Sequence, residues 1–355
     1  MKSSLKSNLL LCFFSIVFSV ITIEIVLSFF YTTPLQKQNS NRHIRLREWT
    51  PLYFKYKVPS DDYINRSDKL IKKKYRFEVD QEGYIYPSKI YERPDKTLLF
   101  LGGSSTECIY VDQDKRFPYL VSKKFSKNQL KVNSYNSGVS GSNSMHSINI
   151  LLNKGLMLNP DFCIMMHNLN DLIVLFYEGS YWNDNFSKSL ILEIKEKEYR
   201  FQNNRLKNIL RSLLPMTYLK LYLLKEKYFK KTIPVELDEF AESRGNALDF
   251  YNNKEKILNM FSQSLTTFIK ICKSYDITPV LMTQASRFTE NLDKNLIEDW
   301  STSINYKDFV PIYNQMNQLI IDTAKSNNVL VIDLAKKVPK NNKYLYDFVH
   351  YNDYG

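Results

Sequence analysis

The chain has 355 residues, enough for one large domain or a domain carrying an insertion, and 49 Lys+Arg against 37 Asp+Glu leave a net charge of +12. The cations are scattered in short runs (Lys72–Lys74, Lys123–Lys124, Lys230–Lys231, Lys336–Lys337), with no aromatic-interleaved stripe and no nucleic-acid motif, so they read as a solvated surface and nucleic acid is not expected as a partner. Four widely spaced cysteines, Cys12, Cys108, Cys163 and Cys272, show no metal-ligand spacing and argue against a disulfide framework; no metal is expected.

From Leu9 to Tyr31 the chain is apolar apart from small hydroxyls and Glu24. As a helix this stretch would reach about 34 Å, enough to cross a bilayer. Lys2 and Lys6 precede it, which places the N-terminus in the cytoplasm and the rest of the chain outside. We read residues 1–31 as a single-pass transmembrane signal-anchor. A cleaved signal peptide is the rival, disfavoured by the length of the run and by the lack of an Ala-x-Ala-like site. Glu24 is read as an interfacial or helix-packing residue.

Residues 32–95 form a juxtamembrane stalk and lead-in. The stalk, 32–60, is polar, with Pro34, Pro51 and Pro59 and the basic run Arg42–Arg47 near the membrane surface; the lead-in, 61–95, holds strand-like pieces and turns packed on the main domain. From Lys96 the pattern alternates. Strands are predicted at 97–101, 131–136, 161–166, 278–283 and 328–333, and helices at about 115–127, 144–157, 253–274 and 311–326. Such alternation argues for a parallel sheet covered on both faces. Between about 175 and 250 it fails, in an aromatic and charged stretch read as an insertion over the active-site edge, with a helix around Leu206–Leu214 and a weak preference for a substrate lid.

Chemistry enters where strands end. Lys96–Leu101 is a core strand running into Gly102-Gly103-Ser104, which leaves Ser104 at the strand's carboxyl end, the edge where open α/β sheets bind ligands. Ser105 is adjacent and could be confused with it. A serine hydroxyl needs a base. His350 is the candidate, with Asp347 three residues earlier to orient the imidazole and stabilise its protonated form. The other histidines lie in the stalk (His43), at a helix start (His146) and at a strand end (His167). The turn lacks the Gly-Lys-Ser/Thr of a phosphate loop and the Gly-x-Gly-x-x-Gly of a dinucleotide site.

Four blocks in order, Gly102-Gly-Ser104, Asn136-Ser-Gly-Val-Ser-Gly141, Asn168-Leu-Asn-Asp171 and Asp347-Phe-Val-His350, resemble the SGNH (GDSL-like) hydrolase family over roughly residues 95–355. The resemblance implies a flavodoxin-like three-layer α/β sandwich over 96–355 with a parallel sheet. It implies Ser104 as nucleophile, Asp347 and His350 as its partners, and an oxyanion hole from the Ser104 and Gly141 backbone N–H groups and the Asn170 amide, with Gly138 as the alternate glycine. Asp171 would hold the Asn170 loop. Two positions depart from the family pattern: Gly103 replaces the usual Asp, and Asn168 the usual Gly. The family also usually continues into a further helix past Gly355, so the chain is read as a candidate C-terminal truncation.

The function expected is a cofactor-free ester hydrolase working through a serine acyl-enzyme on an extracytoplasmic O-acylated glycan or lipid. The alternatives are an O-acyltransferase on cell-surface polysaccharide using the same site, and a non-catalytic glycan-binding protein on this fold.

Overall fold

Short apolar runs closed by glycine or asparagine turns become the strands of a central sheet, as their length and branching favour. The computed structural model describes residues 2–30, 44–183, 192–193, 213–224, 250–297, 300 and 304–355. The chain divides into two units, one of Met1–Arg45 and Glu193–Lys231, the other of Leu46–Leu192 and Thr232–Gly355.

In the larger unit the strands are β1 (Lys96–Gly102), β2 (Val132–Asn136), β3 (Phe162–Met166), β4 (Thr278–Met282) and β5 (Leu330–Ile332). All pair in parallel, in the order β2-β1-β3-β4-β5. That is the flavodoxin-like order, and its reversal between β1 and β3 opens a crevice at their carboxyl ends. The connecting helices are α1 (Ser104–Glu107), α2 (Phe117–Ser126), α3 (Ser144–Asn153), α4 (Leu169–Glu178), α5 (Phe250–Ser274) and α6 (Tyr306–Ser326).

The period-two alternation of a strand builds both faces. Leu99 and Leu101 join Cys163, Met165 and Leu281 under residues of α3, α4, α5 and α6. Leu98 and Phe100 join Ile164, Met166, Val280 and Met282 in a second cluster with Phe117 and Val121 of α2 and Leu345 and Tyr351 of the last segment. The three-layer expectation holds.

Two boundaries differ from the sequence reading. Helix α6 starts at Tyr306 because the Asn305 side chain caps it by accepting from the Lys307 N–H, and Pro311 lies inside the helix rather than at its head. Helix α3 stops at Asn153, before a 3-10 turn over Gly155–Leu158; a Cβ on Gly155 would lie 2.6 Å from Leu99 Cδ2, so the chain bends here to pack on β1.

The stalk is shorter than its polarity suggests. Phe54–Lys57 pairs antiparallel with Tyr75–Glu78, and Trp49, Tyr53 and Phe77 stack in a cluster that reaches Ile109, Tyr110 and Tyr346 of the main domain. Lys57 is buried with its ammonium 5.7–5.9 Å from the centres of those three rings. Prolines and cations obscured an aromatic core.

In the smaller unit, Lys2–Phe30 is one helix whose window Leu10–Leu27 has the length and composition to cross a membrane and none of which is buried. A second helix runs over Pro215–Leu224. Glu24 receives the Met216 N–H (2.6 Å), the Thr217 N–H (2.8 Å) and the Thr217 hydroxyl (2.7 Å), so it is a helix-packing residue. Of the predicted insertion, Leu206–Arg211 fall outside the described residues. Phe176, Tyr177 and Tyr181 are buried in the main core rather than spread over its edge.

Candidate active site

The Gly102-Gly103 pair ends β1 without left-handed backbone; Gly103 has φ −90°. What demands glycine is close approach. A Cβ on Gly102 would stand 2.0 Å from Thr106 Oγ1 and 3.0 Å from the Met166 carbonyl oxygen. On Gly103 it would stand 2.8 Å from Asn170 Nδ2 and 3.1 Å from the Ser142 carbonyl oxygen. Glycine at 103 lets the Asn170 amide lie against the turn that leads into Ser104. Ser104 is the first residue of α1 and is buried, and its carbonyl accepts from the Cys108 N–H.

Asp347 and His350 share one tight turn. Asp347 Oδ1 accepts the N–H groups of Val349 (3.0 Å) and His350 (2.8 Å), and Oδ2 lies 2.6 Å from His350 Nδ1. With the carboxylate as acceptor, Nδ1 is assigned the proton, which leaves Nε2 as the basic nitrogen. Tyr346 stacks on the imidazole at 5.5 Å and 12°.

A hydrogen bond ties this turn to Ser105, the residue after Ser104. The Ser105 hydroxyl donates to the Val349 carbonyl at 3.0 Å, joining the neighbours of the two proposed catalytic residues across 244 positions of sequence. Gln284, just past β4, donates from Nε2 to Ser105 Oγ (2.8 Å) and accepts the Leu169 N–H at Oε1 (2.9 Å). Its backbone is fixed by Asn317 and by the Tyr313 hydroxyl. One side chain therefore locks the Ser105 turn to the start of α4, where Asn170 sits. Arg287 holds the other side of the histidine turn, donating to the Leu345 carbonyl (3.4 Å) and, from its backbone, to that of Phe348 (2.8 Å). Neither Gln284 nor Arg287 was singled out from the sequence. Their one signal is position, since both follow a strand's carboxyl end.

The Asn170 amide donates to the Ser142 carbonyl at 2.9 Å, and Asn170 Oδ1 is buried without a hydrogen-bond partner among the described residues. Asn168 needs no glycine: its φ of −167° is extended backbone, and its amide reaches the Tyr313 carbonyl at 3.0 Å. Gly141 does need to be glycine, with φ +73° and a built Cβ 2.2 Å from Arg47 Nη2. Arg47 donates twice to the Ser140 carbonyl, at 3.0 and 2.8 Å, so this residue of the predicted stalk braces the loop that holds Gly141. The N–H of Gly138 is already given to Asn136 Oδ1 at 2.9 Å, and a Cβ there would meet the Glu107 backbone N at 2.5 Å; Gly138 packs against α1.

Three buried polar groups lie near these segments. Asp171 accepts the Ser144 N–H (3.1 Å), the Ser144 hydroxyl and the Tyr181 hydroxyl (2.6 Å), pinning α3 to α4; burial raises its pKa to about 6. His167 lies 2.6 Å from Ser147 Oγ and 3.7 Å from Asp171, an arrangement that mimics a triad, but burial and the neighbouring His146 lower the imidazole to about 3, too weak a base for the task. His167 is a neutral packing residue. Glu107, at the end of α1, is fully buried; its Oε2 accepts from the Ser140 hydroxyl while Oε1 has no hydrogen-bond partner among the described residues. Burial lifts its pKa to about 7 against the pull of Ser140, Lys57, His350 and Arg116.

Among the described residues no group of His, Cys, Asp and Glu could hold a metal ion. No protein-family model and no curated protein matches the chain. Among solved structures it is similar to an acetylxylan esterase from Geobacillus stearothermophilus (14% identity, TM-score 0.35, covering 68% of this chain and 76% of that one). It is also similar to a lipase/acylhydrolase from Enterococcus faecalis (13%, 0.38, 72% and 87%). Likenesses of this size carry no chemistry across; the residues of this chain must supply it.

Proposed function

We propose that the chain is a membrane-anchored ester hydrolase in which Ser104 attacks an ester carbonyl. The observation that supports the reading is the junction of three strand-end segments with the histidine turn: Ser105 to Val349, Gln284 to both Ser105 and Leu169, and the Asn170 amide against Gly103. Separate elements converge on one serine, one Asp–His pair and one side-chain amide, which is the composition acyl transfer needs.

In this reading His350 Nε2 takes the Ser104 proton as Oγ bonds to the carbonyl carbon. Asp347 holds the ring and stabilises the imidazolium. The negative oxygen is met by the Ser104 N–H, by the Gly141 N–H, and by the second hydrogen of the Asn170 amide. His350 returns the proton to the leaving alkoxide. Water then attacks the acyl-serine by the same path, releasing a carboxylic acid and restoring Ser104.

The hydrogen bonds that Glu24 accepts from the Met216 and Thr217 N–H groups support a retained helix over a cleaved signal, since they tie it to a segment about 190 residues later. With Lys2 and Lys6 on the cytoplasmic side, the substrate is an extracytoplasmic O-acylated glycan or lipid.

The test is turnover of an aryl acetate by the full chain in detergent, beside Ser104→Ala, with a serine-directed phosphonate as label. Turnover and labelling confined to the parent would support the reading. A folded parent that neither turns over nor labels refutes it.

A further inference from the structure

The Glu24 contact says more than that the helix is retained. Glu24 sits three residues before Leu27, the end of the apolar window, hence about 5 Å inside the boundary of the span. A carboxylate at that depth must find donors, because the hydrocarbon offers none. It finds the first-turn N–H groups of Pro215–Leu224 and the Thr217 hydroxyl, which are themselves the groups a helix start leaves unsatisfied. A helix start in water would be capped by water and would not need an acid from a membrane span.

The composition of the second helix agrees. Pro215-Met-Thr-Tyr-Leu-Lys-Leu-Tyr-Leu-Leu224 has no acidic residue and one lysine. Met216 is buried, while Leu213 just before the helix and Leu221 and Leu224 within it are 68%, 61% and 48% exposed. Tyr218 and Tyr222 are of the type that favours the headgroup level, and Lys220 can carry its charge there along an apolar stem. The exposed side chains of the N-terminal helix, Phe18 and Ile21 among them, form the same kind of surface.

We infer that Pro215–Leu224 is a second membrane-contacting helix, which Glu24 holds at the end of the N-terminal span while its exposed leucines lie among phospholipid acyl chains. The inference rests on the anchor reading of Lys2–Phe30. It gives the insertion a membrane-docking task, and the partner is the bilayer itself.

The experiment places one environment-sensitive fluorophore at a time on the full chain, at Phe18→Cys or Leu221→Cys, in a Cys12→Ser background; the other three cysteines are buried. The protein is reconstituted in phosphatidylethanolamine–phosphatidylglycerol vesicles, and quenching by nitroxide-bearing lipids is compared with quenching by aqueous iodide. Blue-shifted emission and lipid quenching at both positions are expected, and Glu24→Ala should move the Leu221 label, but not the Phe18 label, toward iodide. Lipid quenching at Phe18 with iodide quenching at Leu221 in the parent overturns the inference and leaves the anchor standing. A Leu221 label that stays in lipid after Glu24→Ala overturns the tether. Iodide quenching at both positions overturns the anchor reading and the inference with it.

Discussion

Replacing Glu107 by glutamine should change how the stability of the chain depends on pH. Glu107 is wholly buried at the end of α1, beside the Ser140 hydroxyl and within the field of Lys57, Arg116 and His350. An ordinary glutamate ionises near 4.5, whereas here the value rises to about 7, because the cost of taking the charged form out of water exceeds the help of these neighbours. A raised value means that the folded state holds the proton more tightly than the unfolded state. The resulting stability is complete below about pH 4.5 and is lost as pH climbs to about 7; a gap of this width is worth ~3 kcal/mol. Glu107→Gln keeps the shape and an acceptor for Ser140 but cannot ionise. The assay is urea unfolding of the full chain in mild detergent, parent and variant side by side, from pH 4.5 to 8, followed by tryptophan fluorescence. Asp171 and His167 titrate in both proteins and cancel in the difference. Parent minus variant stability should fall by ~3 kcal/mol across the range. A difference that stays flat to within ~1 kcal/mol would refute the claim that desolvation governs this carboxyl.

Gly103→Ala would place a Cβ 2.8 Å from Asn170 Nδ2, pushing the amide away from Ser104; kcat should drop by about 10²–10³ with the fold intact by circular dichroism, and unchanged kcat would sink the oxyanion role of Asn170. Gln284→Ala removes the link from Ser105 to Leu169 and leaves a buried N–H without its acceptor, so unfolding stability should fall by ~1–3 kcal/mol and kcat should suffer more than KM; a rise in KM alone would place Gln284 in substrate binding instead.

The sheet was legible in the sequence because each strand is a short apolar run bounded by turn residues, so pattern and burial coincide. The Asp347–His350 pair was legible because its contact is local, three residues within one turn. What escaped depends on tertiary distance. Gln284 is an unremarked polar residue after a strand until Ser105 and Leu169 arrive from elsewhere in the chain. Arg47 reads as one cation of a basic stalk, and only the fold sets it over Gly141. Gly102 and Gly103 were read as a sharp turn, but they are glycine because Thr106, Met166, Asn170 and Ser142 crowd them, and crowding has no signature along the chain.

The hydrogen bond from Ser105 to Val349 spans 244 residues and thereby orders events in time. During vectorial synthesis the serine turn emerges long before the histidine turn; at 5–20 residues per second the interval is roughly 12–50 s. Throughout it the chain can form β1, β2 and β3, but the Ser105 hydroxyl lacks its Val349 acceptor. In the proposed mechanism the site is armed only when the Asp347–His350 turn docks, after a further 244 residues have been made.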